Sequence, residues 1–481
     1  MAYRHGVYVK EQQTAITSPI TVTAGLQVVI GTAPVNLAKD PYGVTNVPVL
    51  VQTFADAGEK VGYCEDFDKY TACQSINASL GVFGVAPVAI INVLDPKKHK
   101  TDVPETECQV NKGIATLAVK GVLLDTLTVK ASGVLTEGDD YVAYFDEAGH
   151  VVIAVVPGGA AAQATSLTVS GTRINPDAVT AEDIVGAVAS ASAGDTGIQA
   201  VRAIYPKLGM VPGILVAPKF STDPAVAAAL QAATEDINGS FSAFCVVDID
   251  SSSDGAQICT DVQAQKEVQA VSSPNCYAVW PCVKVGDNKF HGSAIAAALM
   301  AYTDAQNDDV PHASPSNKVI PITEVCLEDG TSVLLDQDQA NTVNAVGVGT
   351  FLRMNGFRMW GNRTACYPSN TDPKDCWVGM RRFLNWDANA FILTYFSKVD
   401  GEINARLIES IVDSENIRGN GFVSRGICAR YELTYNEAEN SAAELMDGKI
   451  TFHKLVALFP PAEEIVEIVE FDPYALSAAL A

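Results

Sequence analysis

The run ITVTAGLQVVIG at residues 20–31 alternates apolar and polar positions and then turns continuously apolar, the pattern of a strand entering a core. VPVLVQTFADAGEKVG, from residue 47, predicts a strand and a turn; FDKYTACQSINASLGVF predicts a helix and PVAIINVL a buried strand. Strand, helix and strand in that order point to an α/β layer.

From Lys97 to about Gly197 the period changes. DTLTVKA, DYVAYFD, HVVIAVV and TSLTVSGT are period-two segments separated by Gly, Asp and Pro clusters, so residues 97–197 are expected to form a small inserted β domain. FDEAGHVV, between Tyr144 and Val152, predicts a hairpin in which Gly149 supplies a positive φ.

The α/β pattern then resumes. VPGILVAP, DPAVAAALQAATEDING, SFSAFCVVDI, a polar helix near 255–269 and CYAVWPCVKV alternate strand and helix, with Pro224 in a first helical turn behind Asp223 as its cap. Residues 20–96 and 198–365 therefore read as one discontinuous α/β domain.

Residues 366–481 read as an α+β domain. DCWVGMRRFLNWDANAFILTYFSK carries helical apolar spacing through Trp377, Met380, Leu384, Ala388 and Phe391, and GEINARLIESIVDSE predicts a second helix. Strands return in GICARYELTYN and GKITFHKLVALFPPAEEIVEIVEF, with a final strand or arm at 462–481. Residues 1–19 are short of core material, carry GVYVKE and end at Pro19, the pattern of an extended arm or a frayed terminus.

Composition narrows the function. With 32 basic against 56 acidic residues the net charge is −24, which repels phosphate and argues against a broad nucleic-acid surface. No run of about 18 uncharged apolar residues occurs, so direct membrane insertion is not expected. The start MAYRHGVYVKEQQ lacks the layout of a secretory signal, which points to the cytoplasm and to largely reduced thiols among the 11 cysteines. No C-x-x-C pair and only 6 histidines occur, so no metal site is expected.

NKFHGSAIAAALMAYTD, residues 288–304, raises the possibility of chemistry, because Asp248 or Asp250, His291 and Ser332 occur in the order of a subtilisin triad. In that reading Ser332 is the nucleophile, His291 the base and the aspartate its orienter. Only 41 residues separate His291 from Ser332, and Ser332 lies in the acidic stretch EDGTSVLLDQDQAN. The competing reading makes His291 a helix-start residue, Ser293 the cap, and Ala294, Ile295, Ala298, Leu299 and Tyr302 a buried face. That reading is preferred, with no catalytic residue expected. Neither a phosphate-binding G-x-x-x-x-G-K-[ST] loop nor a dinucleotide G-x-G-x-x-G motif is present, so no cofactor is expected.

SPSNKVIPI, DQANTVNAVGVGTF and NGFRMWGNRT, followed by RRFLNW and the segment from Arg418 to Phe471 with its Pro-Pro-then-strand ending, closely resemble the contractile tail sheath proteins of bacteriophages and related injection particles. The resemblance covers about three quarters of the chain; residues 97–197 match only as the family's variable, outward-facing inserted domain. It implies a discontinuous, non-catalytic α/β domain of subtilisin-like topology, flanked by a terminal α+β domain and extended arms.

It also implies copies stacked as a helical sleeve around an inner tail tube protein, contacts to baseplate and tail terminator proteins, and contraction that drives the tube through a cell envelope. Assembly in the host cytoplasm and a final place in a virion or tail-like particle follow. Strand exchange between neighbours is expected through Val7, Tyr8 and Val9 in the first arm and Ile465, Val466, Ile468, Val469 and Phe471 in the last, with joints at Thr14–Pro19 and Pro460–Pro461. Arg381, Arg382 and Arg406 are candidates to face an acidic tube. The alternatives are a subtilisin-like peptidase and another baseplate or adhesin component.

Overall fold

The computed structural model describes residues 23–189 and 194–480. Strand β1 (Gln27–Gly31) leads to β2 (Val49–Val51), helix α1 (Phe54–Lys60), helix α2 (Thr71–Ile76), which continues as a π-helical turn to Phe83, and β3 (Val88–Asn92). Six strands follow: β4 (Lys100–Gln109), β5 (Ile114–Lys120), β6 (Thr128–Lys130), β7 (Tyr141–Phe145), β8 (His150–Val155) and β9 (Ser166–Ile174). After short helices α3 (Ala181–Val185) and α4 (Ile204–Leu208) come β10 (Ile214–Val216), α5 (Pro224–Ala232), β11 (Phe244–Asp248), α6 (Val262–Val268) and β12 (Cys276–Val279). Strands β13 (Cys282–Val285) and β14 (Asn288–Phe290) precede α7 (Gly292–Gln306), β15 (Glu324–Cys326), α8 (Gln337–Asn344), β16 (Val348–Arg353) and β17 (Phe357–Trp360). The last part comprises α9 (Pro373–Cys376), α10 (Val378–Tyr395), α11 (Ala405–Ser424), β18 (Cys428–Tyr435), α12 (Ala442–Met446), β19 (Phe452–Leu458) and α13 (Pro473–Ala479).

The main sheet has the order β17-β16-β12-β11-β10-β1-β3-β2. Its six central strands are parallel and the two edge strands antiparallel. β1, β3, β11 and β12 are buried along their whole length, as parallel strands covered on both faces must be. The covering helix α7 is rich in alanine and buried over most of its length, although Tyr302, expected on its hidden face, is 39% exposed.

Gly292 lets the start of α7 approach the sheet: a Cβ there would lie 2.7 Å from Val279 Cγ1 and 2.8 Å from the Pro281 carbonyl oxygen. The largest buried polar rings are satisfied. Tyr277 Oη donates to the Gly361 carbonyl at 2.9 Å and Trp280 Nε1 to that of Ala256 at 3.0 Å.

Strands β4–β9 form two three-stranded antiparallel sheets, β4-β9-β6 and β5-β8-β7. They enclose a separate apolar cluster that includes Val103, Leu117, Val129, Val151, Ile153 and Val169. The β7–β8 hairpin forms where FDEAGHVV predicts it, with Gly149 at φ +79°. Beyond the main sheet, α10 docks through Asn385 and Asn389, whose side-chain amides donate to the carbonyls of Ala243 and Ser242. Phe383, Trp386, Phe422 and Tyr431 join α10, α11 and β18 in one aromatic cluster. The whole is a mixed α/β molecule of several packed units.

Several local readings change. The turn expected after VPVLVQT is helix α1, capped by Thr53, whose hydroxyl accepts from Asp56 N at 3.1 Å, and supported by an Asp56–Lys60 pair at 3.1 Å. Strand β1 is shorter than 20–31, and α5 stops at Ala232 although Asp223 caps it as expected. In α10 the buried face runs through Phe383, Trp386 and Ala390, and Ala388 is exposed. Among the described residues no helix is long and apolar enough to cross a membrane.

Candidate functional site: the helix start, the ribbon and the arm

The residues of the suspected triad part company. Asp248 ends β11 and is buried; its carboxylate accepts from Ser293 N at 2.7 Å, Ser293 Oγ at 2.6 Å and Ser221 Oγ at 2.9 Å. A carboxylate at the start of α7 meets the unpaired N–H groups and the positive end of the helix dipole. The cap is therefore Asp248 from a neighbouring strand, and Ser293, expected to cap, lies inside the helix behind His291.

His291 is buried and points elsewhere. Its Nε2 lies 2.9 Å from Glu328 Oε2, and its Nδ1 lies 3.2 Å from Gln74 Oε1. Burial works against its protonation, but the hydrogen bond and charge of Glu328 outweigh burial and raise its pKa. Burial alone raises a carboxyl pKa, yet pairing with His291 and Lys289 holds Glu328 at about 2. Ser332 is exposed on a turn bridged to Cys326, with its hydroxyl on Glu324. Asp250 binds the backbone N–H and hydroxyl of Ser252. Asp, His and Ser thus serve three separate tasks, and no triad is assembled.

The three arginines also separate. Arg382 is buried against Asp304, with side chains 3% and 0% exposed and NH1 3.0 Å from Oδ1, so it cannot meet an external partner. Arg381 is partly exposed, bound to Asn385 Oδ1 and to Asp375 at 3.3 Å. Arg406 is exposed in the first turn of α11.

β18 and β19 form a two-stranded ribbon whose outer edges pair with no further strand among the described residues. A buried charge network ties it down. Tyr431 Oη lies 2.7 Å from Asp387 Oδ1 and 2.8 Å from Glu415 Oε2, while Lys454 Nζ lies 2.8 Å from Asp387 Oδ2 and 3.1 Å from Glu415 Oε2. Arg418 NH1 adds a contact of 2.9 Å to Asp387. Two carboxylates against two cations balance, joining α10, α11, β18 and β19.

The chain then leaves the body. Arg363 holds Glu463 through paired contacts, Nε to Oε1 at 3.1 Å and NH2 to Oε2 at 2.5 Å, with its guanidinium 3.5 Å from the Trp377 ring centroid. Residues 459–472 pair with no strand of the described chain; they run without regular structure to α13. Ile465, Val466, Ile468, Val469 and Phe471 are 69% to 88% exposed. Five adjacent large apolar side chains in water mark a surface made to be covered. Val7, Tyr8 and Val9 lie outside the described residues.

This architecture is that of the sheath subunits of contractile injection systems. The sheath of an extracellular contractile injection system (PVC), in its contracted state, superposes with a TM-score of 0.58 at 13% identity, covering 99% of each chain. The contracted helical sheath of the anti-feeding prophage gives 0.57 at 14% identity, covering 98% of this chain and 100% of that one. At these identities the likeness concerns the fold.

Sequence relatives take the assignment further. The tail sheath protein of Burkholderia phage BcepMu is 28% identical over 483 residues, spanning 96% of this chain and 95% of its own. That of Escherichia phage P2 is 27% identical over 283 residues, or 56% and 66%. No protein-family model matches the chain. These sequence relatives, together with the shared sheath fold, support a contractile tail sheath subunit.

Proposed function

We propose that this subunit polymerises head to tail into a helical sleeve around an inner tail tube, and that the sleeve contracts to drive the tube through a target cell envelope. The observation that carries this reading is the arm at 459–472, apolar, exposed and anchored at Glu463 beside a ribbon with open edges. Fourteen extended residues reach about 45 Å, far enough to meet a neighbouring copy. A repeated contact that does not close on itself builds a filament.

A strand laid along a neighbour's open edge gains main-chain hydrogen bonds worth roughly 1 kcal/mol each while leaving domain orientation free. Burying each of Ile465, Val466, Ile468, Val469 and Phe471 adds about 1.5–3 kcal/mol before the cost of ordering. Val7, Tyr8 and Val9 in residues 1–19 are assigned a second donated strand, and Pro460 and Pro461 a joint that turns while the shared sheets persist. The work is stored as the difference between two packings of the same subunits behind a barrier, so this reading needs no cofactor, nucleotide or enzymatic step.

Further assignments belong to the same reading. Residues 20–96 and 198–365 form a non-catalytic domain of subtilisin-like topology, which the parallel sheet with α7 across it supports; 97–197 is an outward-facing insertion and 366–481 the terminal domain. Arg381 and Arg406 face the tube; baseplate and tail terminator proteins meet the ends of the sleeve. Assembly takes place in the host cytoplasm, and the finished sleeve belongs to a phage tail or tail-like particle.

Deleting 462–481 tests the reading. The shortened chain should keep its circular dichroism and sediment as a monomer where the full chain polymerises; polymers of unchanged size from it would contradict the arm's role.

A further inference from the structure

Three side chains that no catalytic or assembly role uses converge at the start of α7. Cys282 opens β13, His291 sits between β14 and α7, and Glu328 follows β15, so the small β13–β15 sheet gathers residues 37 and 46 positions apart in sequence. Their ligating atoms all lie within 4.8 Å of one another. We propose that Cys282, His291 and Glu328 bind a single thiophilic divalent cation of the zinc class.

The distances fit such an ion. Zinc with bond lengths of about 2.3 Å to sulfur and about 2.0 Å to nitrogen and oxygen, in a tetrahedron, separates S from O by about 3.5 Å and N from O by about 3.3 Å. Here Cys282 Sγ lies 3.6 Å and His291 Nε2 2.9 Å from the same oxygen, Glu328 Oε2. Both separations lie within a few tenths of an ångström of those that a tetrahedral ion sets.

The protons are arranged for replacement. The Cys282 S–H and the imidazolium Nε2–H both point at Glu328 Oε2, and the cation takes the place of both, releasing two protons to solvent. Thiolate, carboxylate and a 2+ ion then sum to zero charge, which a buried site tolerates. Glu328, with its side chain 29% exposed, is the side from which the ion enters and from which water completes the coordination.

Outer contacts orient the histidine as metal sites require. Gln74 Nε2 donates to the Phe67 carbonyl at 2.9 Å, which turns its Oε1 toward His291. That oxygen accepts from His291 N at 3.0 Å and from Nδ1–H at 3.2 Å, leaving Nε2 as the ligating nitrogen. Ser251 Oγ lies 3.9 Å from Cys282 Sγ, and Lys289 Nζ lies 3.9 Å from Glu328 Oε1 while donating to the Glu328 backbone carbonyl at 2.7 Å. Cys326 stands opposite Cys282 in the β13–β15 register.

The test is cobalt titration of the full chain after removal of metal with EDTA. The expected result is a thiolate-to-cobalt charge-transfer band that saturates near one ion per chain and is competed away by zinc. Cys282→Ser should abolish the band, Cys428→Ser should leave it intact, and Gln74→Met should weaken binding roughly 10–100-fold. Circular dichroism checks the fold of each variant; if Cys282→Ser does not fold, Glu328→Gln, at the partly exposed ligand, decides by losing the zinc-dependent rise in melting temperature. No band from the wild type, or an undiminished band or melting shift in these ligand variants, would overturn the site.

Discussion

Arg381 and Arg382 are adjacent on α10 but play different parts, because a helix turns neighbours by about 100°. Arg382 enters the interior and meets Asp304, so Arg382→Met should destabilise the chain by about 3–5 kcal/mol in chemical denaturation, much of it from leaving Asp304 buried and unpaired. The double change Arg382→Met with Asp304→Leu should recover most of the loss. Asp248 makes a similar case. Asp248→Asn removes the charge that caps α7 and should lower stability by about 2 kcal/mol, whereas Ser332→Ala, on an exposed turn, should stay within about 0.5 kcal/mol. His291→Ala should lower stability and leave sheath assembly intact. The sequence contains Asp248, His291 and Ser332 in a suggestive order, but order carries no distance: Glu328, the residue that pairs with His291, lies 37 positions on, beyond the reach of any local period.

Elements with a complete pattern are legible in the chain. The buried strands β3, β11 and β12, the β7–β8 hairpin and the capped helix α5 follow from continuous apolar runs, a Gly at positive φ and an Asp-Pro start. Helix α1 hides because seven residues hold too few apolar positions to show a period; its readable signal is Thr53 with Asp56 three residues later. The arm is a different case. EEIVEIVEF has β-prone composition, but a strand exists only with a partner, and its partner is not within the described residues of this chain. The ribbon that stands ready beside it relies on the charge network beneath, since a lone two-stranded sheet is marginal. Glu415→Gln should therefore loosen α10, α11 and the ribbon together, seen as faster amide exchange across β18 and β19 and a loss of a few kcal/mol in stability.

At the scale of the molecule, the parallel sheet and the terminal helices share one continuous core and the β4–β9 unit encloses its own, while an apolar, exposed segment projects past the last strand. That division suits a subunit whose body stays rigid while its connections carry the assembly through a change of packing. Electron microscopy of the purified full-length chain, across a range of concentration and salt, tests this most directly. The account predicts helical sleeves, stacked rings or contracted tubes; a chain that stays monomeric under every condition would contradict it.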